Sequence, residues 1–538
     1  MDKFLQWWKQ DKRYMTLIKS VLFTVLPVLC CVVYCAARGK TIGQVYLPAS
    51  EWNDELFYYK QVEGIVNFGY PQGYFGFNES HALKLSFAAW SPILVYPWVL
   101  WGLIFGWNLS SPVLCNIFLM ALCCFLFVWL VKPSWKQMLI LVLLFCLYTP
   151  FVRYMLSVMP EVICFSMLIV FYGLAINYLK RERTWKLALL FVMSGVMTLM
   201  RPYLLLFLLL PMYLWVKKSR WKGALGSAAI FLLTMGLYAC IKHYLGAEYF
   251  APLFFTDWVT AIFERGILGG LRFTAGKLYY MGLDFYRYTV QGIRTGLPVG
   301  AFFAGYLAML CIFVFQWVRN AGELRRLRNN TERCAELRRR MIIEGHLAFS
   351  FVAMLFALLL MYKLLEGGRH LLTFMAAGLF VIAMMETAFY KKAVILGFIL
   401  AYLFSYRAVD PEYYQVPFST EEIQSHVASW TQTFGEKLKL VKEEVPSFEN
   451  VVIWAFSDNV SGETKNTEWQ LLYGLPEGFG ISCCDPEYVL ENFDSLKSRY
   501  LFAPAGGEIE RRCREKGFKE IWRDETSVLY DLCYLRNK

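Results

Sequence analysis

The sequence predicts a polytopic α-helical membrane protein with a small extracytoplasmic α/β domain at its C-terminal end. Three observations predict it. The 538 residues are 57% apolar and 18% aromatic, with mean hydropathy +0.41, outside the range of a soluble globular chain. Apolar runs near 20 residues recur, and each is long enough at 1.5 Å per residue to cross a hydrocarbon layer about 30 Å thick. The last stretch, 407–538, reverses both trends: it carries 15 Lys and Arg against 23 Asp and Glu, a net −8 in a chain whose total is +12.

Twelve apolar runs are legible, at 15–37, 86–106, 110–131, 137–158, 161–179, 185–200, 202–216, 222–242, 298–318, 342–365, 370–388 and 391–406. The first is too long for a cleaved signal's apolar region and reads as a permanent anchor. Short basic connections follow several runs: KRER at 180–183, KKSRWK at 217–222, the segment 319–340 with eight Arg and three Glu, and Lys391-Lys392. Such loops stay in the cytoplasm, as does the basic N-terminus. Alternation then puts the loop 38–85, Met159-Pro160-Glu161, Arg201-Pro202, the loop 243–297, EGGRH at 366–370 and the tail on the opposite face. An inward N-terminus with an outward tail requires an odd number of crossings, so 11 or 13 are expected. Lys132 and Lys136 break the alternation unless 86–106, with Pro92 and Pro97, is a kinked or paired element, or that basic pair faces out. The basic-loop bias and the lack of an organelle signal fit a bacterial plasma membrane.

The outer loop 243–297 interleaves Arg265, Arg272, Lys277, Arg287 and Arg294 with Phe and Tyr, the pattern of an amphipathic helix on a membrane surface. In the tail, VVIWAF (451–456), RYLFAPA (499–505) and SVLYDL (527–532) read as strands and GEIERRCREKG (507–517) as a helix, hence an α/β domain. It lacks a glycine-rich phosphate loop. No CxxC pair occurs; Cys483, Cys484, Cys513 and Cys533 are the candidates for a disulfide in an oxidising compartment.

The chemistry-bearing residues lie on the outer face. The loop 38–85 carries Asp54 and Glu55 in EWNDELFYYK, then Glu79, His81 and Lys84 in FNESHALK. Ionisable groups beside a greasy bundle are costly and ask for a reason. Arg201 and Arg369 sit at outer helix ends, against the inside bias for positive charge, and so call for an anionic partner. That partner is a phosphate on the functional reading, or Glu161 and Glu366 on the structural one. Asp54 also suits helix capping over the run that follows, and Glu79 a solvated pair with Lys84.

The segment 154–211 resembles the core signature of the GT-C glycosyltransferases, in particular the group of protein O-mannosyltransferases and lipid A aminosugar transferases. Met159-Pro160-Glu161 stands where that family has a Ser-Glu-Pro-like motif, Lys180 to Arg183 where it has a basic turn, and Arg201-Pro202 where it has Thr-Arg-Pro. Asn53-Asp54-Glu55, Trp90-Ser91-Pro92-Ile93 and Arg369-His370-Leu371-Leu372 resemble further motifs, so that 1–406 is covered in order as a catalytic domain. The resemblance implies a polyprenyl-phosphate sugar donor, a glycan, lipid or protein acceptor, and inversion at the anomeric carbon. It implies Asp54, with Glu55 and Glu79, as catalytic acids. Lys84, Arg201 and Arg369 would hold the donor phosphate, with His81, Glu161, His370 and Lys277 in secondary places. It leaves a divalent metal open. A transporter or lipid flippase, or a non-catalytic envelope assembly protein, is the alternative; no internal repeat of the transporter kind is visible.

Overall fold

The computed structural model describes residues 12–50, 54–71, 75–79, 90–245, 255–295, 298–327, 331–362, 364–385, 416–441, 447–456 and 467–532. Helix α1 (Lys12–Ala36) leads into the first long loop, whose own helix α2 (Asp54–Phe68) and short strand β1 (Phe75–Phe77) follow. Then come α3 (Tyr96–Phe105), α4 (Ser111–Val131), α5 (Trp135–Leu147), α6 (Pro150–Met155), α7 (Glu161–Lys180), α8 (Thr184–Met200) and α9 (Leu209–Leu245). The long α10 (Asp257–Thr295), α11 (Pro298–Arg326), α12 (Thr331–Met361) and α13 (Leu364–Met384) complete the bundle. Among the described residues, six helices are long and apolar enough to cross a membrane, and four more are apolar but shorter. The run 391–406 lies outside the described residues.

Helix α7 is the hub. It is apolar on every side, as a helix enclosed by others must be, and it packs against α4, α8, α12 and α13. Two runs differ from their sequence reading. Run 86–106 contributes a 3-10 turn (Pro92–Val95) and the 10 residues of α3, too short for a full crossing. Lys19 Nζ of α1 donates to Pro133 O at 2.7 Å, so the basic start of α1 and the Lys132–Lys136 turn share one end of the bundle. This fits the kinked or paired element at 86–106. Run 137–158 stops at Leu147 because Thr149-Pro150 opens a new short helix, α6, with proline at its first turn. Runs 202–216 and 222–242 follow one another within Pro202–Leu245 and are parted at Arg220, where φ is 39°, so two helical pieces stand where two runs were read.

The loop 243–297 is largely α10, 39 residues with a break at Gly266, where φ is 71°. Phe263, Ile267, Leu268, Tyr279 and Tyr280 are all exposed.

The C-terminal unit adds α14 (Glu421–Lys437), β2 (Val451–Trp454), α15 (Thr467–Gly474), β3 (Gly480–Cys483), α16 (Pro486–Glu491), β4 (Tyr500–Pro504), α17 (Glu508–Glu515), β5 (Lys519–Arg523) and β6 (Ser527–Asp531). The sheet order is β1-β3-β2-β4-β6-β5. The first four strands run parallel and the last two pair antiparallel. Strands β2 and β3 are buried along their whole length, as parallel strands covered on both faces are. Val452, Trp454, Ile481 and Phe502 face α14 and join the core of the bundle. Ile453, Leu501, Val528 and Tyr530 belong to a separate cluster with Ile509 of α17 and Val489 of α16.

Strand β1 comes from the first loop, and Tyr46 N donates to Pro417 O at 2.7 Å. The sheet of the C-terminal unit is thus built from both stretches, the first loop and the tail. Three residues, FGF, are too few to announce a strand by alternation. Cys483, Cys484 and Cys513 are buried free thiols; Cys533 lies outside the described residues. Successive residues of a strand point to opposite faces, and Cys483 and Cys484 accordingly enter different cores.

Candidate active site

A buried amide first pins the loop that carries the site. Asn116 of α4 accepts from Trp98 Nε1 at 2.8 Å and donates to Ser157 O at 2.7 Å and Tyr154 O at 3.3 Å. In an apolar interior such a fully used amide holds its partners in one arrangement. It fixes the turn 154–160, and with it Val158 and Glu161.

Asp54 and Glu55 open α2, and a helix turns about 100° per residue, so their side chains part. Glu55 is fully buried. Its Oε1 accepts from Val158 N at 3.1 Å and lies 3.8 Å from Arg153 Nη1, and its Oε2 accepts from the Ser50 hydroxyl. Burial lifts its carboxyl to about 7, against the downward pull of the Arg153 guanidinium and the Val158 amide. Glu55 therefore ties the first loop to the turn before α7 and does not face the open side. Asp54 does: its Oδ2 is 3.0 Å from Arg369 Nη1, with 27% of the Asp54 side chain and 32% of the Arg369 side chain exposed.

Behind this half-open pair lies a buried one. Arg201 Nη2 donates to Glu161 Oε1 at 2.9 Å, and both side chains are almost fully enclosed. Arg201 Nη1 also donates to the Tyr203 hydroxyl at 3.0 Å and lies 3.5 Å from His370 Nδ1. The Tyr203 oxygen is 3.4 Å from the same nitrogen. The guanidinium stacks over Trp90 at 5.2 Å, a favourable contact for a cation with little water around it. Trp90, Tyr203 and Tyr362 pack their rings around His370 at 5.2 to 5.3 Å. Three buried polar atoms here, Arg201 Nε, Glu161 Oε2 and His370 Nε2, have no protein partner among the described residues. Buried polar groups are normally paired, so this cluster has room in its hydrogen bonding for a further polar partner.

Helix ends converge to make it. Arg369 and His370 are neighbours near the start of α13, Glu161 begins α7, and Arg201 caps the end of α8. Five residues expected from the sequence thus meet: Asp54, Glu161, Arg201, Arg369 and His370. Glu79 departs from its expected place. It is buried, its carboxylate accepts from Lys497 N at 2.9 Å and Ser498 N at 2.6 Å, and its own N–H donates to Ser482 Oγ. Asn78 and Glu79 both take left-handed backbone, with φ of 50° and 54°, and turn the chain off β1 toward those amides. Glu79 locks the loop to the sheet. Lys277 is likewise engaged elsewhere, with Asp257 at 2.5 Å and over the Phe255 ring. His81 and Lys84 lie outside the described residues.

Sequence reasoning missed Arg153, Tyr203 and Ser50. Arg153 had a signal, since a lone cation inside an apparent apolar span is itself anomalous. Tyr203, two residues after Arg201, had none beyond proximity. Among the described residues, no group of three His, Cys, Asp or Glu side chains could hold a metal ion.

No protein-family model matches the chain, and no curated protein matches it. Among solved structures it is similar to ArnT from Cupriavidus metallidurans, crystallised in the apo state. The two share 11% identity over 96% of this chain and 98% of that one, with a TM-score of 0.41. At that score the functional reading rests on the residues themselves.

Proposed function

We propose that the protein is an inverting glycosyltransferase of the GT-C type, moving a sugar from a polyprenyl-phosphate donor to an acceptor hydroxyl at the outer face. The observation that carries the reading is the half-open Asp54–Arg369 pair standing on a buried cationic cluster with unpartnered polar atoms. The motif order from Asn53 to Leu372 that resembles the GT-C pattern supports it.

The reaction needs a base and a phosphate clamp. An acceptor hydroxyl ionises far above pH 7, so a carboxylate must take its proton as the oxygen attacks. Asp54 plays that part: the acceptor oxygen bonds to the anomeric carbon, its proton passes to the Asp54 carboxylate, and the bond from that carbon to the phosphate oxygen breaks. The electron pair leaves with polyprenyl phosphate. Arg369 and Arg201 hold the phosphate while its charge grows, which speeds the step because they bind the leaving state more strongly than the donor.

The resting ion pair suggests an order of events. With Arg369 held by Asp54, neither group is free. A donor phosphate competes for the guanidinium, and a planar fork of donors suits phosphate oxygens as well as carboxylate. Donor binding thereby releases Asp54 for the acceptor. Glu161, beneath Arg201, keeps that arginine in place and acts as a positioning residue.

The same reading sets sidedness. With the N-terminus inside, α3 not crossing, the α9 stretch counted on both sides of Arg220, and 391–406 counted as a span, eleven crossings put the tail on the face of the cluster. Incubating purified protein with a panel of radiolabelled polyprenyl-phosphate sugars and membrane lipid or glycan acceptors tests the function. Labelled product and free polyprenyl phosphate in equal amounts are expected. Movement of intact donor between leaflets without product would point to a flippase instead.

A further inference from the structure

At the basic end of the bundle, a cavity of about 470 Å³ opens between the ends of α4 and α7, the starts of α5 and α12, and the end of α13. It lies the full 20-residue length of α7 from Glu161, about 30 Å away at 1.5 Å per residue. Its volume is that of a small-molecule site. Nothing in the transfer chemistry uses it.

Its lining divides sharply. The walls are apolar, with Ile176, Leu179, Ile343 and Val381 among them, and the rim carries four cations, Lys132, Lys180, Arg339 and Arg340, against Glu332, Glu336 and Glu344. Most of these charges are spoken for. Lys180 Nζ donates to Val131 O at 2.8 Å, Arg340 pairs with Glu336 at 2.5 Å, and Asn320 donates to Glu344 at 2.7 Å. Among the described residues, Lys132 and Arg339 make no ion pair. The rim therefore keeps one net positive charge and two uncommitted cations beside an apolar hollow. A pocket of that make between membrane helices fits a ligand with an anionic phosphate and a greasy tail.

We propose that this cavity seats one anionic phospholipid of the adjoining leaflet, its phosphate on Lys132 and Arg339 and the start of one acyl chain against the apolar wall. A singly charged headgroup neutralises the rim, and the remaining chain runs out among the surrounding lipids. The site joins five helices whose far ends include those carrying Glu161 and the Arg369–His370 pair, so an occupied cavity steadies the frame on which the outer cluster stands. The assignment is independent of the transfer reaction.

The test uses the full chain, purified in detergent and stripped of lipid, with bound lipid counted by native mass spectrometry and thermal unfolding followed in parallel. Phosphatidylglycerol, phosphatidylcholine and inorganic phosphate are added separately. Phosphatidylglycerol should be retained about tenfold better than phosphatidylcholine, the scale expected of one charge-assisted contact, and should raise the unfolding temperature. Inorganic phosphate should do neither. Lys132→Gln and Arg339→Gln together should abolish the preference and each alone should weaken it. Arg338→Gln, which lines a different hollow, should leave it intact. Equal retention of both lipids, full retention by the double variant, or the same stabilisation by inorganic phosphate alone would each overturn the assignment.

Discussion

Arg369 and Arg201 both face acids, yet their burial predicts opposite phenotypes. The Arg369–Asp54 pair is about a third exposed, and exposed pairs contribute about 0–1 kcal/mol to stability. Arg369→Ala should therefore shift unfolding only slightly. Its effect should appear in donor binding, where losing a charge-assisted contact in a partly desolvated site costs about 1.5–3 kcal/mol, or roughly 10- to 150-fold in affinity. Arg369→Lys keeps the charge without the fork geometry and should fall between. The Arg201–Glu161 pair is enclosed, at 1% and 0% exposure, and removing one member of a buried pair costs about 3–5 kcal/mol. Arg201→Met should then lose much of its folded population, with Glu161→Gln close behind. The assay measures thermal unfolding and binding of a non-transferable polyprenyl-phosphate sugar analogue on the same preparations. If Arg369→Ala unfolds as readily as Arg201→Met while its folded fraction binds donor normally, Arg369 is structural and the phosphate lies elsewhere.

Three further outcomes follow from other contacts. Glu55 titrates near 7 when folded against 4.5 when free, so protonation favours the folded state. Stability from this group is full at low pH and falls by on the order of 3 kcal/mol as pH rises from about 4.5 through about 7. Glu55→Gln should flatten that slope in thermal melts taken across pH 4 to 8, and an unchanged slope would remove Glu55 as its cause. Glu79→Ala should weaken the C-terminal unit by about 1.5–3 kcal/mol, seen as earlier proteolysis of the tail, with donor affinity unaltered; lost affinity would return Glu79 to the site. A cysteine placed at exposed Glu487 should react with an impermeant maleimide in intact cells, and one at exposed Arg338 should not, in a background with the native exposed cysteines replaced. Reversed labelling would invert the proposed sidedness.

The helices were legible because a membrane span writes itself as a length of apolar sequence, and the pattern failed only where length and backbone chemistry disagree. Pro150 cut one run, and the prolines of 86–106 left another with a 3-10 turn and a helix of 10 residues. The outer helix α10 was visible in its alternating cations and aromatics. The join between loop and tail was not, since β1 is three residues long and is a strand only because β3 lies beside it. In the site, Glu161, Arg201 and Arg369 could be read because charge at the end of an apolar helix is rare, and Asp54 because it belongs to an acidic pair in the first loop. Which charge meets which could not, because pairing depends on how helix ends far apart in sequence come together. Glu79 shows the cost: acid, loop and sidedness all suited catalysis, while the two amides that hold its carboxylate come from residues more than 400 positions away.

The account stands most directly on Asp54 as the base that turns an acceptor hydroxyl into a nucleophile. Transfer by purified wild-type protein and by Asp54→Asn should be measured side by side, with binding of the donor analogue as the control for folding. Asparagine keeps the shape and the hydrogen bond to Arg369 but cannot accept the proton, so the rate should fall by about 10²–10⁴-fold with donor still bound. A variant that folds, binds donor and retains more than about a tenth of the wild-type rate would contradict it.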